Sequence, residues 1–88
     1  MFMPKPEMKF IVRRNPDGTV HVQNVILFMG IHYGQHHVHT EEGFRKWLEK
    51  AGIKEEQLIY EDGECNCGLK PGYVREYDGK TWYNPDFE

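Results

Sequence analysis

The sequence predicts an α+β fold: a small antiparallel sheet of two hairpins plus a central strand, with one amphipathic helix packed on one face. Three observations support this class. Apolar residues alternate on both sides of an Asn-Pro-Asp-Gly turn within residues 8–22. Residues 41–51 carry apolar side chains at helical spacing. Asp78-Gly79 separates two aromatic-rich runs, 73–77 and 80–83, and is typical of a two-residue hairpin turn. The predicted order is β-β-β-α-β-β-β.

The first hairpin is predicted by Phe10 and Val12 on one strand and by Val20 and Val22 on the next. His21 falls on the face opposite the two valines, and we interpret it as an exposed sheet residue rather than a ligand. Residues 25–31 then form the longest apolar run. A run that is apolar at every position predicts a central strand covered on both faces.

The helix has clear signals at both of its ends. Thr40 is a good N-cap, acidic residues follow it in the first turn, and Gly52 is a typical C′ residue. The predicted helix is therefore Glu41–Ala51. Its apolar stripe consists of Phe44, Trp47, Leu48 and Ala51. A short helical turn at 54–57 and a strand at 58–61 are expected to follow.

Length and charge limit the classes of function. Eighty-eight residues predict a single domain, 1–88, with a flexible arm at 1–7 and a tail at 84–88. The net charge of −3 disfavours nucleic acid as a partner. No apolar run is long enough to cross a membrane, and the N-terminal residues do not resemble a signal peptide. We therefore expect a cytoplasmic protein.

Histidine and cysteine are concentrated in two short segments. Residues 31–40 hold four of the five histidines, and Cys65-Asn66-Cys67 supplies two thiols on a loop. Zinc prefers four tetrahedral ligands of these types. The sequence predicts a zinc site that clamps the strand–helix junction to the distal loop, with its ligands drawn from His36, His37, His39, Cys65 and Cys67. The alternative is that the histidines lie on a polar surface and the cysteines are ordinary loop residues.

His37-Val38-His39 is a histidine-hydrophobe-histidine triplet and resembles the metal-binding motif of the HUH nucleases. On an extended strand both rings would project from one face. The resemblance covers three residues and implies a metal-dependent nuclease. That family also uses a tyrosine nucleophile on a downstream helix, whereas the helix predicted here carries no tyrosine.

The second hairpin is rich in aromatic residues and could bind a partner. We assign Tyr77 and Trp82 to the core and Tyr83 to a partner-binding surface. The function predicted from the sequence is a small module without catalytic activity. It would bind or inhibit a protein or associate with a second copy of itself, with zinc as a candidate stabiliser. The alternatives are the nuclease and a small-molecule-binding protein.

Overall fold

The computed structural model describes residues 7–88. The predicted arm lies outside the described residues except for Glu7, which begins the first strand. The strands are β1 Glu7–Arg14, β2 Thr19–Leu27, β3 Ile31–Thr40, β4 Leu58–Tyr60, β5 Tyr73–Arg75 and β6 Thr81–Tyr83. The helix α1 is Glu41–Ala51, and short 3₁₀ helices occupy Glu55–Gln57 and Pro85–Phe87.

All six strands belong to one sheet in the order β4-β1-β2-β3-β5-β6. The α+β class is confirmed, with a larger sheet than the predicted two hairpins and a central strand. Neighbouring strands are antiparallel except β4, which pairs in parallel with β1 at one edge. Because β5 pairs with β3 on the other side, the chain between β4 and β5 must cross three strands.

The helix has the predicted bounds and covers one face of the sheet. The Gly43 N–H donates to the Thr40 hydroxyl, and Gly52 adopts the left-handed conformation that ends the helix. The core beneath the helix joins its buried Phe44 to apolar strand residues that are at most 3% exposed. These are Phe10, Val12, Val20 and Val22, with Trp47, Leu48, Ile53 and Leu58 packed against them.

The predicted central strand at 25–31 is wrong. The second strand continues to Leu27, the chain turns at 28–30, and a third strand of ten residues begins at Ile31. Met29 and Gly30 both have positive φ, at 52° and 130°. The apolar run therefore contains a turn, which its hydrophobicity alone cannot reveal. The histidine-rich segment is consequently a full strand that pairs with β2, rather than a junction between the central strand and the helix.

The second hairpin turns through three residues, 77–79, instead of the predicted two. The backbone N–H of Glu76 donates to the Lys80 carbonyl across this loop. Tyr77 is 85% exposed and Trp82 is 40% exposed, so the assignment of these rings to the core is wrong. The sheet ends at β6, and within the hairpin Val74 is fully buried while Tyr77 and Trp82 face solvent.

The predicted tail packs against the helix and the third strand. The Phe87 ring centroid lies 4.8 Å from that of His37 and 5.0 Å from that of His39. Gly43 faces the last residue so closely that a Cβ at this position would overlap the Glu88 carbonyl. A side chain at position 43 would therefore push the C-terminal segment away from the helix.

Residues 61–72, which we call the crossover loop, run over the sheet face opposite α1. The Glu61 N–H donates to the Val12 carbonyl at one end, and the Gly72 N–H donates to the Val38 carbonyl at the other. The loop therefore starts on β1 and finishes on β3. It covers the face that the helix leaves open. Among residues 7–88, no helix is both long enough and apolar enough to span a membrane.

Candidate metal centre

Four potential metal ligands converge between the sheet and the crossover loop. They are His21 on β2, His36 on β3, and Cys65 and Cys67 on the loop, and their ligand atoms all lie within 4.8 Å of one another. Cys67 Sγ is 3.2 Å from His21 Nδ1, and Cys65 Sγ is 3.3 Å from His36 Nε2. The bond lengths of tetrahedral zinc place neighbouring ligand atoms about 3.3–3.8 Å apart. Small side-chain shifts would therefore complete such a site.

The hydrogen bonds of Gln23 determine which ring nitrogen of His36 carries the proton and which one can accept or bind a metal. The Gln23 amide nitrogen donates to the carbonyls of Gly34 and Gln35, so its oxygen points to His36 Nδ1 at 2.9 Å. An amide oxygen only accepts, and Nδ1 must therefore carry the proton. Nε2 is left with a free lone pair directed at Cys65. This is the tautomer that a metal ligand requires.

A second chain of hydrogen bonds sets the tautomer of His21. The Thr19 hydroxyl donates its one proton to the Asp17 carboxylate, and its oxygen lies 2.7 Å from His21 Nε2. The hydroxyl oxygen can then only accept, so Nε2–H donates to it. Nδ1 carries the lone pair and faces Cys67. Metal-ligating histidines commonly donate their second ring N–H to an outer-shell acceptor, and here that acceptor is the Thr19 hydroxyl, which Asp17 orients.

The crossover loop is held in place at both cysteines by the protein itself. The Asn15 side chain donates to the Cys65 carbonyl at 2.9 Å and accepts from the Cys65 N–H at 2.8 Å. Arg75 donates to the Cys67 carbonyl at 3.3 Å. Cys65 is thus fixed by two bonds and Cys67 by one. Both thiols are partly exposed and unpaired by a disulfide.

Burial keeps the site histidines neutral at neutral pH. It lowers the pKa of His36 to about 4, with a smaller contribution from the positive charge of Arg75. Burial likewise lowers the pKa of His21, although the nearby Asp17 charge opposes the shift. Burial raises the pKa of the Cys67 thiol. A bound divalent cation would reverse this last effect, because a coordinated thiol is deprotonated.

His37 and His39 lie on the opposite face, in the core beneath α1. They are 1% and 0% exposed, and the His39 ring stacks on Trp47. His39 Nδ1–H donates to the Phe87 carbonyl, and His37 Nδ1 lies 2.6 Å from His39 Nε2. The remaining nitrogen, His37 Nε2, lies 3.2 Å from Asn24 Oδ1. Both rings are therefore enclosed by polar and aromatic neighbours within the core.

The structure brings together three of the five predicted metal ligands: His36, Cys65 and Cys67. It places His37 and His39 elsewhere, as the alternation of a strand requires once His36 faces the loop. His21, interpreted as exposed, is 4% exposed and is the fourth member of the cluster, so that interpretation is wrong. Its face was assigned correctly, but the crossover loop covers that face. The missed signal was the turn at 28–30, which pairs β2 with β3 and brings His21 beside His36.

Tyr83, the predicted partner-binding residue, lies on the edge strand β6 and is 45% exposed. Its ring sits against Gly72, where a Cβ would come within 2.5 Å of it, and the Tyr73 ring centroid is 5.3 Å away. A hydrogen bond to the Glu88 carboxylate raises the pKa of the Tyr83 hydroxyl. Tyr83 therefore makes contacts within the chain besides facing solvent.

Comparison of the chain with family models, with curated proteins and with solved structures gave no match.

Proposed function

We propose that this chain is a small binding module whose fold is stabilised by one zinc ion, held by His21, His36, Cys65 and Cys67. The observation that carries the proposal is the convergence of two lone-pair-bearing ring nitrogens and two thiols within 4.8 Å. Two thiolates and two imidazoles are a ligand set typical of tetrahedral zinc. Two thiolates also neutralise the charge of a divalent cation, which favours such a site in a partly buried position.

The zinc has a structural role in this proposal. Four protein ligands complete a tetrahedral shell, whereas catalytic zinc sites keep one position open for water or substrate. The ligands come from two strands and from a loop without regular secondary structure, so the ion would pin the crossover loop onto the sheet. Metal-binding free energy then contributes to folding, which matters in a domain this small.

Zinc titration of matched variants, followed by native mass spectrometry and urea unfolding, tests the proposal. Wild type should bind one zinc per chain, and chelation should lower its unfolding midpoint. Cys65→Ser and His21→Gln should each weaken zinc binding and lower the free energy of unfolding in zinc by several kcal/mol. His32→Gln is the matched control, since His32 is exposed and its side chain bonds to the Phe28 carbonyl rather than to a candidate ligand. Wild-type zinc affinity in His21→Gln would overturn the proposal.

The nuclease alternative would need His37 and His39 to hold a metal beside a substrate. Their burial beneath α1 and the hydrogen bonds of His39 to His37 and to the Phe87 carbonyl favour a core role instead. Nuclease activity that is lost in His37→Ala, while the fold is retained, would restore this alternative.

We further propose that the β5–β6 hairpin binds a protein partner or a second copy of the chain in the cytoplasm. What supports this is the exposure of its aromatic rings, Tyr77, Trp82 and Tyr83. Tyr83→Ala should weaken a concentration-dependent association measured by sedimentation, or the affinity for a partner identified by cross-linking. Tyr77→Phe, a conservative change at a ring 85% exposed, is the control. Unchanged association in Tyr83→Ala would remove Tyr83 from the surface.

A further inference from the structure

The two cysteines of the cluster are close enough to react with each other. Their sulfurs lie within 4.8 Å, both side chains are partly exposed, and a single residue, Asn66, separates them. A disulfide needs Cα atoms about 4.4–6.8 Å apart, which a bend at the intervening residue allows. Gly68, with φ of 74°, gives the backbone a flexible point just beyond Cys67.

The two cysteines differ in how firmly the protein holds them. Cys65 is fixed by two short bonds to Asn15, whereas the backbone of Cys67 receives one longer bond from Arg75. If one sulfur moves towards the other, Cys67 is therefore the one that moves. Its movement would separate it from His21, its nearest neighbour among the imidazoles.

We propose that the centre is a redox switch in which a peroxide converts Cys65 and Cys67 to an intramolecular disulfide and releases the metal. This inference rests on the proposed zinc site. One thiolate attacks a peroxide oxygen, the O–O bond breaks, and the sulfur becomes a sulfenic acid while the departing oxygen takes a proton to form water. The second thiolate then attacks the sulfenic sulfur, the S–S bond forms, and the hydroxide that leaves takes a proton.

In total, two thiolates, one hydrogen peroxide and two protons give one disulfide and two waters. The two thiolates are oxidised by two electrons, the peroxide is reduced, and the zinc leaves as the unchanged dication. The coordinated state suits the first step because the thiolate, rather than the thiol, is the nucleophile. Loss of both sulfurs leaves only two imidazoles, which are too few ligands to hold the ion.

The switch has a local structural consequence. Asn15 keeps residue 65 at its place on the sheet, while residues 66–70 lose the connection from Cys67 to His21. Oxidation should therefore loosen one half of the crossover loop and leave the sheet intact. Amide hydrogen exchange in 66–70 should become roughly tenfold faster or more, with the exchange of β2 and β3 unchanged.

The test exposes zinc-loaded wild type to one equivalent of hydrogen peroxide and follows zinc release with a chromophoric chelator. The peptide containing both cysteines is then mapped by mass spectrometry, which separates its products from oxidation of exposed Met29. We expect one zinc released per chain and a peptide lighter by about 2 Da, the mass of two hydrogens. A thiol reductant should restore both the mass and zinc binding. Cys67→Ser is the control and should not give the lighter peptide.

Zinc retained at a tenfold excess of peroxide would overturn the inference. So would release that yields sulfinic acid or a disulfide between chains. These outcomes leave the zinc site itself standing. By contrast, a freshly reduced wild type that binds no zinc in titration would overturn the proposed function, whatever the peroxide does to the thiols.

Discussion

At the scale of single residues, side chains that never touch a metal decide whether the cluster can bind one. Gln23 and the Asp17–Thr19 pair place protons on the outward nitrogens of His36 and His21. The inward nitrogens therefore carry lone pairs in the folded chain. Such preorganisation reduces what the protein must reorganise when a metal binds.

The replacement Gln23→Leu removes the acceptor for His36 Nδ1–H while keeping a side chain of similar length. Zinc affinity should fall about 10–100-fold, as is typical when an outer-shell partner is lost. Gln35→Leu is the matched control, because the Gln35 amide bonds to Glu76 rather than to a candidate ligand. Competition with a chelator of known affinity measures the zinc affinity of both variants. Equal affinity in the two variants would contradict the role given to Gln23.

The buried His39 should make stability depend on pH. Burial lowers its pKa from 6.5 to about 4, so the folded state binds fewer protons than the unfolded state between these values. Its contribution is fully present above pH 6.5 and is lost as the pH falls towards 4. From pH 7 to pH 5 this amounts to about 2 kcal/mol of unfolding free energy.

Urea unfolding of chelator-treated protein at both pH values measures the effect, with metal release removed as a variable. His39→Gln should lose less stability than wild type over this interval, and exposed His32→Gln should lose as much as wild type. An identical loss in His39→Gln and wild type would show that His39 titrates normally.

Among the secondary-structure elements, local sequence signals predicted both ends of α1 correctly but did not reveal the turn between β2 and β3. The helix has a side-chain cap, an apolar stripe and a terminal glycine, which all act within a few residues. The turn at Met29-Gly30 is concealed in an apolar run, and it uses a methionine at positive φ, which is uncommon. Because the turn was missed, residues 31–40 were not recognised as a strand paired with β2, and the pairing that brings His21 beside His36 was not predicted.

At Gly43 the helix propensity of the residue and its packing against the C-terminal segment have opposite effects on stability. Alanine favours a helix by about 1 kcal/mol over glycine. Here its Cβ would overlap the Glu88 carbonyl, so Gly43→Ala should lower the free energy of unfolding by on the order of 1–3 kcal/mol. In a chain that stops after Asn84 the obstacle is absent, and the same change should raise stability. Destabilisation of equal size in both chains, measured by urea unfolding, would contradict this explanation.

For the molecule as a whole, the position of the crossover loop on the sheet could not be predicted from the sequence. Asn15 and Cys65 are fifty positions apart, and the parallel pairing of β4 with β1 sends the loop across the sheet. No local pattern specifies such a contact. Composition did indicate that a small domain with five candidate histidine and cysteine ligands could use a metal, and three of these five ligands converge. The fourth ligand, His21, joins the cluster because β2 pairs with β3.

The most direct test of the proposed zinc centre is a crystal structure of zinc-loaded protein with anomalous data collected on both sides of the zinc edge. We expect one anomalous peak per chain, about 2.0–2.3 Å from His21 Nδ1, His36 Nε2, Cys65 Sγ and Cys67 Sγ. We expect no peak at His37 or His39. A zinc peak held by His37 and His39, or zinc found only at exposed carboxylates, would contradict it.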